Sequence, residues 1–421
     1  MMFRKLRPIL ALMMLATAPL TAQRPTAPLS HPAIARAMEL MRTDNAWTVD
    51  QQVSLCEIPA PPFKEAARAE EYRSRLAALG LQNVRIDAEG NVIADRPGTG
   101  GGPRVLISAH LDTVFPEETD VTVTRSGTRL DGPGISDDCR GLTVLLQLAK
   151  AMQAANVQTT GDIIFVGTVG EEGPGNLRGV RHLFDAQSAG LIDYFISVDG
   201  SGFGVTSGAV GSHRYTVTYE GPGGHSYGAF GMPNPIHALG RAMAKFADFQ
   251  VPATPRTTFN VGVISGGTSV NSIAFSASMD VDMRSESQDE LDRLDTALRT
   301  ALEAARQEEI ARWPNSQRPL ELKIEAIGKR PAGQQPDTVH IVRVALAAAA
   351  ALGQSPRPGA SSTDSNIPIS LDVPAVTIRG GGRAGDAHSL NEWYDDGPNG
   401  WLGPQNALLV VVMLAGLAPL P

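Results

Sequence analysis

Apart from Ser108, the residues from Val105 through Ala109 are apolar, and the run stops at His110 with Asp112 two positions on. That length and composition predict a buried strand. Side chains at i and i+2 of an extended segment point the same way, so His110 and Asp112 should emerge together at the strand's carboxyl end. Similar runs at 161–169, 194–198 and 375–379 predict further strands, and helical spacing recurs at 142–154, 178–186, 337–352 and from about 402. Strands alternating with helices through short connections imply an α/β fold with a mostly parallel sheet flanked by helices. Upstream, helical spacing covers 31–42. Asp50 reads as the N-cap of a helix ending near Glu57, and a periodic helix over 64–79 ends at Gly80. Two short strands at 84–87 and 91–94 flank the turn Ala88, Glu89, Gly90.

The pattern changes after residue 211. Residues 214–219 alternate like an antiparallel strand. A helix at 234–248, strands at 257–264 and 274–284, a long charged helix at 287–312 and a strand near 319–326 follow. This β-α-β-β-α-β order predicts a ferredoxin-like α+β insertion with its own core. The expected organisation is a catalytic domain in two parts, 30–211 and 329–421, interrupted by a lid or dimerisation domain at 212–328. The uncharged run 407–421 is too short for a comfortable membrane span and reads as a buried core helix.

A length of 421 residues exceeds one hydrophobic core. A formal charge of −8 gives no electrostatic footprint for nucleic acid. Arg4, Lys5 and Arg7 precede an apolar stretch from Pro8 to Leu20 and a small-residue site at Thr21 and Ala22. These features predict a secretory signal peptide over 1–22, hence a periplasmic or secreted protein with no membrane attachment after cleavage. Only Cys56 and Cys139 occur, and both are expected to be free thiols.

Potential metal ligands stand at four strand ends or the loops after them: His110 and Asp112, Asp137 and Asp138, Glu171 and Glu172, and Asp199. His388 lies in a glycine-rich loop that runs on to Glu392. Carboxylates ending apolar strands are costly unless paired or metal-bound. Mixed histidine and carboxylate donors suit Zn2+, and less often Mn2+ or Co2+.

The ordered set His110-x-Asp112, Gly-x-Gly-x-x-Asp137-Asp138, Glu171-Glu172-Gly173, Asp199 and His388 resembles the di-zinc metallopeptidase family of tripeptidase (peptidase T), glutamate carboxypeptidase, acetylornithine deacetylase and aminoacylase-1. The resemblance covers nearly all of the chain after the leader. It implies two Zn2+ per subunit, one on His110, Asp137 and Asp199, the other on Asp137, Glu172 and His388. It further implies that Asp112 orients His110, that Glu171 is the general base, and that the 137–138 peptide is cis. Cys139-Arg140 departs from the family's usual lysine and small residue. His225 in a glycine-rich turn resembles the histidine that reaches a partner subunit's oxyanion in a homodimer built through the insertion. Asn271, Arg284 and Gly381 resemble substrate-binding positions. Asp199, where carboxypeptidases and deacylases tend to have glutamate, resembles the aminopeptidase and dipeptidase branches. The implied activity is a small-peptide exopeptidase of tripeptidase type. An N-acyl-amino-acid deacylase or carboxypeptidase is the alternative, and a non-catalytic periplasmic metal- or solute-binding protein the remote one.

Overall fold

The computed structural model describes residues 25–185 and 191–419. The leader expected at 1–22 lies outside the described residues. The strand Val105–His110 is buried at all six positions because it sits inside the main sheet. It pairs in parallel with Ile163–Thr168 on one side and Tyr194–Val198 on the other. Ala375–Ile378 continues the parallel set beyond Tyr194–Val198. Around these four strands antiparallel pairings follow, with Val92–Arg96 and Gln82–Ile86 on one side and Val205–Ala209 on the other, where Gly333–Gln334 adds an antiparallel and Pro358–Ser361 a parallel partner. Strands sandwiched on both faces need no polar alternation, which is why their sequences read as continuous apolar runs.

Helices supply the covering. Cys139–Ala154 buries 13 of its 16 residues under the sheet, starting earlier than its spacing predicted because Asp138 caps it through Gly141. Leu402–Ala415 buries Leu408, Leu409, Val410, Val411 and Val412 in the same core. At about 1.5–3 kcal/mol for each large aliphatic side chain, that packing dominates the helix's placement. No helix among the described residues is long and apolar enough to cross a membrane. One expectation is corrected: the second helix is Asn45–Cys56, and Asp50 lies inside it, accepting from Arg125 at 2.9 Å. Cys56 and Cys139 are free and buried.

A second, wholly antiparallel sheet runs in the order Thr257–Gly266, Ser276–Ser285, Gly211–Glu220, Glu321–Arg330. Helices Pro235–Ala247 and Gln288–Arg312 cover one face, so Tyr215, Val217, Tyr219, Met279 and Val281 meet Leu239, Phe246, Leu294 and Leu298 in a separate core. A small four-stranded sheet sets Trp393–Asp395 against Arg129–Asp131. The loops that precede Trp393 and follow Asp131 therefore hang side by side, and they carry His388 and Asp137.

Candidate metal centre

Asp137 joins two groups of ligands. Its Oδ1 lies 2.9 Å from His110 Nε2 and its Oδ2 lies 3.2 Å from His388 Nε2. His388 Nε2 is also 3.0 Å from a Glu172 carboxylate oxygen. His110, Asp137 and Asp199 form one triad, and Asp137, Glu172 and His388 another, with ligand atoms in each within 4.8 Å of one another. All five predicted ligand residues thus converge, drawn from the ends of three parallel strands and two loops. The 137–138 peptide is cis.

Supporting contacts fix each ligand. His110 Nδ1 is 2.9 Å from the main-chain oxygen of Asp112, which orients the ring. The Asp112 carboxylate stands 3.8 Å from that nitrogen and does something else: it accepts from the backbone N–H of Glu171 at 3.0 Å and of Glu172 at 2.7 Å. Asp138 accepts from the N–H groups of His110, Gly141 and Gly200, tying two ligand strands to the helix that follows. Glu392, fully buried, accepts from Gly134 N–H, Ser136 N–H and Oγ, and Asp137 N–H at 2.7–3.1 Å. It locks the loop of His388 to the loop of Asp137. Arg379 donates to the Asp199 main-chain oxygen at 2.9 Å. Sequence reasoning assigned Glu392 and Arg379 no role. Their partners lie 255 and 180 residues away, and only an acidic residue four positions past His388 hinted at the first.

The electrostatics are those of a site built for cations. Burial pushes Asp112 up to about 6, and burial with the neighbouring Asp137 does the same to Asp199. Burial also raises Glu171 well above the usual carboxylate range, against the pull of Arg330. Burial alone would raise Asp137, yet hydrogen bonds from His110 and His388 hold it below that range. His388 is held up at about 10 by its bonds to Asp137 and Glu172. Packed carboxylates with so few cationic side chains are unfavourable unless metal compensates. The donor set, three carboxylates and two imidazoles sharing Asp137, fits divalent ions that accept nitrogen and oxygen ligands.

The remaining predicted residues belong to none of the triads. His225 is exposed on a short strand paired with Ser272–Ile273, its Nδ1 accepting from Tyr227 and Gly228 N–H. Asn271 adjoins it, its main-chain oxygen accepting from Ser226 N–H at 2.9 Å. Arg284 bonds Asp282 at 2.8 Å and, with Arg256, Ser361 and Ser362, lines a cavity of ≈ 260 Å³. Gly381 has a φ of 81° and packs against the start of the last helix, where a Cβ would come within 2.7 Å of Gly403.

Residues 106–400 match the model of peptidase family M20/M25/M40. The chain is 26% identical over 237 residues to succinyl-diaminopimelate desuccinylase of Corynebacterium glutamicum, covering 55% of this chain and 64% of that protein. Its fold is similar to a tripeptidase of Staphylococcus aureus (TM-score 0.72, 20% identity, 87% of this chain and 98% of that one). It is also similar to aminopeptidase PepT of Bacillus cereus (TM-score 0.71, 20% identity, 88% and 98%).

Proposed function

Since the chain belongs to peptidase family M20/M25/M40 and is a metal-dependent hydrolase of amide bonds, we propose that it is a di-zinc exopeptidase of tripeptidase type acting on small peptides. The observation that carries this reading is Asp137, shared by two ligand triads, with Glu171 beside both. His110, Asp137 and Asp199 would hold one ion and Asp137, Glu172 and His388 the other, with Mn2+ or Co2+ as possible replacements for zinc. Bound there, the ions supply a polarised substrate carbonyl and a water of lowered pKa. Glu171 takes the proton of the attacking water on its carboxylate and hands it to the leaving amine nitrogen. Burial favours this proton acceptance, because desolvation penalises the ionised carboxylate relative to its protonated form.

Support for an amine-bearing substrate comes from a cavity of ≈ 690 Å³ beside the His388 loop. Glu118, Asp120, Asp131 and Asp386 line it, with Arg129 as its cation. Negative charge there favours a free substrate amine over an acyl group. The likeness to a desuccinylase supports the second reading, an N-acyl-amino-acid deacylase or carboxypeptidase. Purified protein assayed on Ala-Ala-Ala and on N-acetyl-amino acids separates the two; amine release only from the acylated compounds overturns the first. With Glu171 and all five ligands present, a purely metal- or solute-binding role is disfavoured. Glu171→Gln should retain its metal and lose turnover.

We further propose export to the periplasm or medium, tested by N-terminal sequencing of protein recovered outside the cytoplasm. A homodimer through the second sheet unit is supported by the exposure of Tyr227, Phe230, Val270 and Phe275 near His225 and Asn271. Sedimentation analysis tests it, and a monomer at assay concentration rejects it. No nucleic-acid partner is proposed.

A further inference from the structure

Glu171 and Glu172 are consecutive carboxylates at one strand end, and both come within ligand distance of His110: His110, Glu171 and Glu172 form a third triad within 4.8 Å. Chemistry requires only one of them to bind metal. What separates them is a buried guanidinium. Arg330 Nη1 lies 3.0 Å from Glu171 Oε1, its Nη2 bonds the main-chain oxygen of the same residue, and Nη1 also reaches Ser362 Oγ at 3.0 Å. Both side chains of the ion pair are about nine-tenths buried or more, at 6% and 7% exposure.

The arginine is itself firmly placed. It ends the strand Glu321–Arg330, opposite Ser212, where the chain passes between the two sheets. Asn366 donates to the main-chain oxygens of Val210 and Pro331 at 2.9 and 3.0 Å, binding both crossing segments to the main unit. A Cβ on Gly211 would meet the Arg330 carbonyl oxygen at 2.8 Å, so the crossings pass closely.

We propose that Arg330 is the positioning residue that keeps Glu171 out of the metal ligand set and leaves its second oxygen turned to the attacking water. This rests on the reading of Glu171 as the base. Nη1 holds Oε1 by a charge-assisted bond while Nη2 holds the main-chain oxygen of the same residue, so turning Oε1 toward a metal breaks the ion pair. Glu172 has no such restraint and bonds His388 instead.

The test uses full-length protein and Arg330→Ala, with Arg330→Lys as the variant that retains the cation. Arg330→Ala should lower kcat about 100-fold with KM nearly unchanged, the scale expected when a catalytic group is misplaced. Added guanidinium ion should restore part of the rate. In cobalt-loaded Arg330→Ala the visible spectrum should change as Glu171 enters the ligand set, and Arg330→Lys should retain more of the parental spectrum. In a Glu171→Gln background, Arg330→Ala should cost nothing further. An unchanged kcat, a loss confined to KM, an unaltered cobalt spectrum in folded Arg330→Ala, or an additive loss in the Glu171→Gln background overturns the proposal. Should Glu171→Gln alone keep full turnover, the base assignment fails first and this proposal with it.

Discussion

Replacing Asp112 by alanine removes two acceptors at once. The carboxylate is fully buried and receives the N–H groups of Glu171 and Glu172, while the main-chain oxygen that orients His110 remains in place. Each buried N–H left without a partner costs about 1–3 kcal/mol, so about 2–6 kcal/mol is at stake in the turn that carries both glutamates. Part of this is offset because a carboxylate raised to about 6 by burial no longer has to be desolvated. The damage should fall on the second triad: the geometry around His110 survives, but Glu172 loses its fixed direction. Loss of such supporting contacts weakens metal binding by about 10- to 100-fold. Zinc titration against a competing chelator, followed by metal analysis, should make Asp112→Ala resemble Glu172→Ala, with one ion weakened and one kept. Asp112→Asn retains one acceptor oxygen and should fall between. If Asp112→Ala instead behaves like His110→Ala, or loses both ions equally, the Asp112 carboxylate does not serve the Glu172 side of the centre and the reasoning fails.

Glu392→Ala frees four donors in the Asp137 loop, at about 1–3 kcal/mol each, and should destabilise the protein by about 4–12 kcal/mol before relaxation, with selective loss of the ion proposed at His388; denaturant melts and metal content check it, and a stable variant with both ions refutes it. Chelation should lower the melting temperature, and stoichiometric zinc should restore it, because metal at a hundredfold its Kd adds about 2.7 kcal/mol per site; an unchanged melt refutes compensation of the buried carboxylates. His213 is buried, neither ring nitrogen has a hydrogen-bond partner among the described residues, and burial, with nearby Lys329, lowers its pKa. The unfolded chain then binds the proton more readily than the folded one, so stability is present above about 6.5 and is lost as pH falls below it. His213→Leu should flatten that acid loss between pH 7 and 5 in thermal melts; parallel curves for both proteins count against it.

The parallel strands and their terminal ligands were legible because a doubly covered strand has to be apolar and its first polar residues mark where the sheet ends. His110, Asp137, Glu172, Asp199 and His388 all stand at such ends or in loops beside them. The start of the second helix was not legible: the helix begins at Asn45 after Asp44, whose side chain makes no capping bond, and Asp50 is occupied by Arg125 from a distant strand. The supports of the centre were hidden for the same reason. Glu392, Arg330 and Arg379 act across 255, 159 and 180 residues, and nothing local to them shows what they will meet. The function of Asp112 was half visible: the family resemblance implied that it orients His110, while its carboxylate also accepts from the backbone of the next strand end.

The sharing of Asp137 also spreads the centre unevenly along the chain. The triad of His110, Asp137 and Asp199 is complete before any residue of the second sheet has been synthesised, whereas its companion waits for His388, nearly 200 residues later. Until then Asp137 and Glu172 lack their second imidazole, and the strand Ala375–Ile378 that flanks Tyr194–Val198 is still missing. The first triad thus lies wholly in the first half of the sequence, yet Glu392 and Arg379, which hold Asp137 and Asp199, come from the same late segment as His388, so both triads depend on the end of the chain closing over its beginning.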